Sequence, residues 1–104
     1  MSAQVTATLY KCVNKDMRSN HGTVYPVGEI VVAGDYEPNQ GCGAGLHFWP
    51  TIETARRNVN AYGEVIIECE VDLGSLIPLA DKCKARSCCV TRIIEQDDDP
   101  ERTT

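Results

Sequence analysis

A histidine set among glycines and aromatics is the feature of this chain best suited to chemistry. Residues 41–55 read Gly41-Cys42-Gly43-Ala44-Gly45-Leu46-His47-Phe48-Trp49-Pro50-Thr51-Ile52-Glu53-Thr54-Ala55, and Arg56 and Arg57 follow at once. Gly41, Gly43 and Gly45 admit backbone angles that other residues avoid, so a ligand can come close to the chain there. Glycine amides, an imidazole and two guanidinium groups could grip a phosphate, and the Trp49 indole could stack on a base. Gly43, Gly45, His47, Trp49, Arg56 and Arg57 therefore form a candidate binding set for a nucleotide-type small molecule. The glycine run lacks the spacing of a Walker loop or of the dinucleotide fingerprint. The plainer alternative is a turn, a short strand and a packed helix. His47 is then a hydrogen-bonded structural residue, Trp49 a core plug, and the arginines a solvated helix surface.

Other chemistries have thinner support. Cys42, His47, Cys83, Cys88 and Cys89 include no Cys-x-x-Cys pair, and adjacent strand residues such as Cys88 and Cys89 point to opposite faces, so no metal site is assigned. No local signature marks a nucleophilic cysteine, and no catalytic residue or cofactor is assigned. Glu68 and Glu70 share a strand face about 7 Å apart, a spacing that acid/base pairs use and that solvated strand faces show routinely.

These residues need a frame. Val5 to Val13 reads as a strand with Val5, Ala7 and Leu9 on one face and Thr6, Thr8, Tyr10 and Cys12 on the other. A polar connection follows over residues 14–22, then a short extended piece, Val24 to Gly28, which Pro26 assigns to an edge. Glu29 to Ala33 is a second strand. Pro50 and Thr51 open a helix over 52–62, with Thr51 as N-cap, Glu53 in the first turn, and Ile52, Ala55, Val59 and Tyr62 as its apolar stripe. Gly63 stops it. Glu64 to Asp72 alternates cleanly, with Val65, Ile67, Cys69 and Val71 inward. Cys83 to Glu95 reads as one long last strand anchored by Val90, Ile93 and Ile94, with Arg86 or Arg92 pairing with Glu68 or Glu70. The expected fold is α+β: a single small domain over residues 1–95, a twisted and mostly antiparallel sheet with one helix packed on it. Residues 96–104 are expected to be a disordered acidic tail.

Composition narrows the function classes. The 104 residues carry a formal charge of −5. The tail holds Asp97, Asp98, Asp99 and Glu101 against Arg102, a net of −3, which leaves −2 for residues 1–95. Without a basic face, duplex nucleic acid is not the expected partner. The longest apolar run, Ile30 to Ala33, is far too short for a membrane span. The opening residues carry no secretory signal pattern, so a cytoplasmic protein with reduced thiols is expected.

Two resemblances add to this. Leu9-Tyr10-Lys11-Cys12-Val13-Asn14-Lys15-Asp16-Met17-Arg18-Ser19, the Tyr25-Pro26-x-Gly28 step, Gly45-Leu46-His47-Phe48 and Asp81-Lys82 resemble a family of small uncharacterised domains from tailed phages, large DNA viruses and bacteria. The match spans most of residues 8–94 and implies a viral origin, not a mechanism. More weakly, His21-Gly22-Thr23 and Gly45-Leu46-His47-Phe48 leading to Ala55 resemble ADP-ribosyltransferase-type folds. That likeness implies that His21 contacts a nicotinamide ribose and that His47 stands at a usual tyrosine position. It brings Tyr25 and a strand glutamate into the candidate set.

The expected function is a phage-encoded accessory protein that acts by binding. It would counter a bacterial defence by sequestering a nucleotide signal or occluding a host defence protein. An NAD-using ADP-ribosyltransferase-like enzyme and a virion component, assembled as a homo-oligomer through a sheet edge, are the alternatives.

Overall fold

The computed structural model describes residues 5–19, 22–34, 45–59, 63–79 and 82–96. The alternation of the first segment produces strand β1, Thr6–Val13, and that of the third quarter produces β4, Val65–Asp72. The two pair antiparallel over their full length, from Thr6 opposite Asp72 to Val13 opposite Val65. β2 (Ile30–Val32) and β7 (Ser87–Gln96) complete a four-stranded sheet in the order β1-β4-β7-β2. A second, three-stranded sheet holds β3 (Leu46–Phe48), β6 (Cys83–Ala85) and β5 (Ile77–Pro78) in the order β3-β6-β5. All named strand pairs in both sheets are antiparallel.

The architecture is thus a small single α+β domain, as expected, but with two sheets where one was expected. The expected long last strand is the reason. It breaks at Arg86: Cys83–Ala85 serves the small sheet and Ser87–Gln96 the large one. At the crossing, the Arg86 amide donates to Ser75 Oγ at 3.2 Å and its carbonyl accepts from the Ala33 amide at 2.8 Å. The Val24–Gly28 piece is also not a strand. Val24 makes an isolated bridge to Arg18, and the chain then turns into β2.

Two apolar clusters hold the layers. Leu9 and Val13 of β1, Val65, Ile67, Cys69 and Val71 of β4, and Cys88 and Val90 of β7 pack against Leu46, Phe48 and Ala85 of the small sheet. Full burial of each such aliphatic side chain contributes about 1.5–3 kcal/mol. On the other face Cys12 and Ile66 pack with Trp49 and Ala55. β7 carries register irregularities against β4 between Ile66 and Ile67 and between Glu68 and Cys69. Such bulges break strict alternation. Ile94 reaches the second cluster, whereas Ile93, expected as an anchor, is 45% exposed.

The helix α1 spans Ile52–Arg57, with Ala55 buried. It ends at Arg57, inside the expected 52–62; Val59 is again helical, and residues 60–62 lie outside the described residues. Asn58 leaves helical geometry at φ −110° and ψ 7°, and its side chain donates to the Thr54 carbonyl at 2.8 Å. Tyr62, the last residue of the expected stripe, lies outside the described residues, as does the acidic tail from residue 97. Thr51 is the N-cap: its Oγ1 accepts the Thr54 amide at 3.0 Å. Thr51→Ala should cost about 1 kcal/mol in urea denaturation, the usual worth of a cap, and an unchanged midpoint would deny the cap a role.

Candidate functional site

β1 places Lys11 between Leu9 and Val13, on the face that otherwise packs apolar side chains against the small sheet. A lysine there must either reach water or find partners inside. Its Nζ donates to the His47 carbonyl at 2.8 Å. It also stands 5.0 Å from the Tyr25 ring centroid and 5.5 Å from that of Phe48, within cation–π range. No carboxylate among the described residues forms an ion pair with it.

Several titratable groups face this amine: Cys12 beside it on β1, Cys69 on β4, Cys88 on β7, and Tyr25, His47 and Lys82. Burial lowers the Lys11 pKa to about 8, the three thiols working the other way and Lys82 adding to the fall. Burial likewise pushes the Cys12 thiol up to about 11 and the Tyr25 phenol above its usual range. A hydrogen bond to Cys88, with burial, pushes the Cys69 thiol well above its usual range, and the same bond lowers that of Cys88. Cys12 is fixed further by donating to the Ala55 carbonyl at 3.2 Å.

Lys11 lines a cavity of about 490 Å³, within the usual range of small-molecule sites. Tyr25, Leu46 and His47 line it too, with Ser19 and Thr23 at one side and Val32, Ala33 and Gly34 at another. Ser19 and Thr23 are held in register by paired bonds, the Ser19 amide to the Thr23 carbonyl at 2.8 Å and the Thr23 amide to Ser19 Oγ at 3.3 Å. A second hollow of about 40 Å³ adjoins Lys11 and His47 and reaches Cys12, Trp49 and Lys82. His47 thus borders both spaces, with its strand neighbours Leu46 and Phe48 buried.

The structure brings together part of the set expected from sequence. Tyr25, Gly45 and His47 border the large cavity. Trp49 does not: its ring is buried under the helix and meets only the small hollow, too small for a base. Arg56 and Arg57 border neither space; both are exposed on α1, and Arg56 is ion-paired with Glu95 of β7. That pairing raises the guanidinium pKa further, through hydrogen bonding first. His21 and Gly43 lie outside the described residues, as does Cys42.

The glutamates expected from the transferase likeness are engaged on the opposite face of β4 from the inward Cys69 and Val71. Glu68 accepts from Thr91 at 2.7 Å and from Arg92 at 3.2 Å, and these bonds hold its carboxyl below the usual range. The Arg92 pairing is one of those expected across the strands. Glu70 accepts from the Thr6 hydroxyl at 2.7 Å and from Thr8 at 2.5 Å. The sheet therefore separates both carboxylates from Tyr25 and the cavity.

Lys11 was absent from the candidate set, although its signal was present: strict alternation puts it on the same face as Leu9. Lys84 was also missed. It is fully buried on β6, opposite His47 in the register, with its polar atom partnered. Among the described residues, no three His, Cys, Asp or Glu side chains group to hold a metal ion. No described helix is long and apolar enough to cross a membrane. No curated protein and no solved structure matches the chain. A family model described as a domain of unknown function, DUF7666, matches residues 7–99, and the chain belongs to that family.

Proposed function

We propose that this is a small binding protein whose large cavity takes a phosphorylated, nucleotide-type ligand. The observation that carries this reading is Lys11, a cation without a carboxylate partner among the described residues, on the wall of a 490 Å³ space. The Ser19 and Thr23 hydroxyls and the His47 imidazole supply hydrogen bonds, while Tyr25 and Leu46 supply apolar surface. In a phage, removal of such a ligand from the host would blunt a defence that signals with nucleotides. The enzyme alternative is less favoured, because Glu68 and Glu70 are bonded on the far face of the sheet.

Calorimetry with AMP, ADP-ribose, NAD and cyclic nucleotides tests the reading, with Lys11→Met as control. Binding that the substitution weakens at least about tenfold is expected, since a charge-assisted bond contributes more than a neutral one. Equal affinity for both proteins, or none for either, ends the proposal. Because the ammonium loses its proton near pH 8, affinity for a phosphate should fall as pH rises through that value. A flat profile from pH 7 to 9 contradicts a role for Lys11.

One observation favours assembly as a second reading. β2 closes one edge of the large sheet with Ile30 72% and Val32 62% exposed. Pairing of two copies along this edge would cover both. A monomeric mass in light scattering, at concentrations well above micromolar, removes that reading.

A further inference from the structure

The geometry points to Lys11 as an imine-forming amine, so that the preferred ligands are phosphorylated compounds with a reactive carbonyl, such as a sugar phosphate with a free reducing end. This inference rests on the cavity being a binding site and says which ligands it would select.

Among the described residues Nζ has one hydrogen-bond partner, the His47 carbonyl at 2.8 Å. In the neutral amine one N–H satisfies that carbonyl, and the lone pair is left to turn toward open space. The Tyr25 and Phe48 rings, at 5.0 and 5.5 Å, close other sides without forming covalent or ionic bonds to it. The open directions are the two hollows that Lys11 borders. A paired lysine would be held as ammonium by its carboxylate, and a fully exposed one would be held so by water. Lys11 is half-buried and ion-pairs with no carboxylate among the described residues, which is the setting of Schiff-base lysines.

The step balances without a co-reactant. The ammonium gives a proton to solvent in the cavity, and the amine lone pair attacks the ligand's carbonyl carbon. A carbon–nitrogen bond forms as the carbonyl π bond opens to an alkoxide, which takes up protons and leaves as water. Ammonium and carbonyl become iminium and water, with no net change in charge. The site stays cationic, so the ligand's phosphate keeps a favourable field. Cys12, Cys69, Cys88, Tyr25, His47 and Lys82 are the titratable groups around the amine. Burial outweighs the raising influence of the three thiols and leaves an appreciable neutral fraction near pH 8.

The test uses the full chain with pyridoxal 5′-phosphate as the probe aldehyde and cyanoborohydride to trap the imine. Peptide mass mapping then reads the site. Lys11 should be modified roughly tenfold faster than Lys15 or Lys82 at pH 7.5, because a larger share of it is unprotonated than of an ordinary lysine. AMP, which has no free carbonyl, should protect it. Lys11→Arg, which has no primary amine to condense with the aldehyde, should lose the adduct at this position. If AMP binds but Lys15 and Lys82 are labelled as fast as Lys11, the amine is only a cation and this inference falls while the binding reading stands. If neither AMP nor the probe binds, both fall together.

Discussion

At pH 7 the Lys11→Met variant should be more stable than the wild type by about 2 kcal/mol, while losing the anion site. The direction follows from where the ammonium sits. It occupies a position on β1 between two core residues, and burial has moved its pKa from 10.5 to about 8. A downward shift in a base means that the folded state resists the charge. Between about pH 8 and 10.5 the unfolded chain therefore binds more protons than the folded one, and stability from this group rises with pH. Each pH unit in that window is worth about 1.4 kcal/mol at most. Methionine fills similar volume and carries no charge to bury. It forfeits one bond to a carbonyl, about 1 kcal/mol, which is why the expected gain is smaller than the full shift.

The sign can be isolated from the other groups. Cys12 and Tyr25 have raised pKa values, so both proteins lose stability as the medium turns alkaline above about pH 9. The difference between variant and wild type removes that shared loss. It should be largest below pH 8 and shrink above it. Urea denaturation at pH 7 and pH 9.5 supplies both values. A variant less stable than the wild type at pH 7 would falsify the view that Lys11 is kept at a cost to the fold.

Gly63→Ala should be the most damaging single-methyl change in the described chain, costing on the order of 3–5 kcal/mol. A Cβ at this position would stand 2.3 Å from the Val13 carbonyl carbon and 2.4 Å from its oxygen. Those atoms are backbone, and Val13 is itself fully buried, so they have nowhere to retreat. The glycine also holds φ at +139°, a region that residues with a side chain rarely enter. With an ordinary domain stability of about 5–15 kcal/mol, the variant should melt many degrees lower or fail to fold. Gly74→Ala is the control: its nearest contact would be the flexible Asp72 carboxylate at 3.3 Å. Similar melting of the two variants would mean that the crowding at Gly63 relaxes.

Much of the scaffold was legible because its signals are local. Alternation in Val65–Asp72 and the Thr51 cap with Glu53 behind it fix their elements within a few residues of sequence. The last strand was misread for the opposite reason. Cys83–Ala85 and Ser87–Gln96 are each extended, and what divides them is a choice of partner sheet made at Arg86, which depends on Ser75 and Ala33 far along the chain. The site failed in a similar way. Spacing showed that His47, Trp49 and Arg56 are neighbours in sequence, but not that β3 ends and α1 begins on a different side of β1. The inward lysine was readable from period alone, had the Leu9 face been followed two residues further.

The bridge between Tyr10 and Trp49 bears on which margin of the large sheet lies open to a further strand. Tyr10 N–H donates to the Trp49 carbonyl at 2.9 Å, and Trp49 N–H returns the bond at 2.6 Å. β1 is a margin of the large sheet, and this reciprocal clasp occupies its rim near the middle. An intruding strand would have to unfasten the Trp49 backbone before it could zip along β1. That flank is stoppered near its middle, whereas Ile30 and Val32 on the β2 flank stand open to solvent.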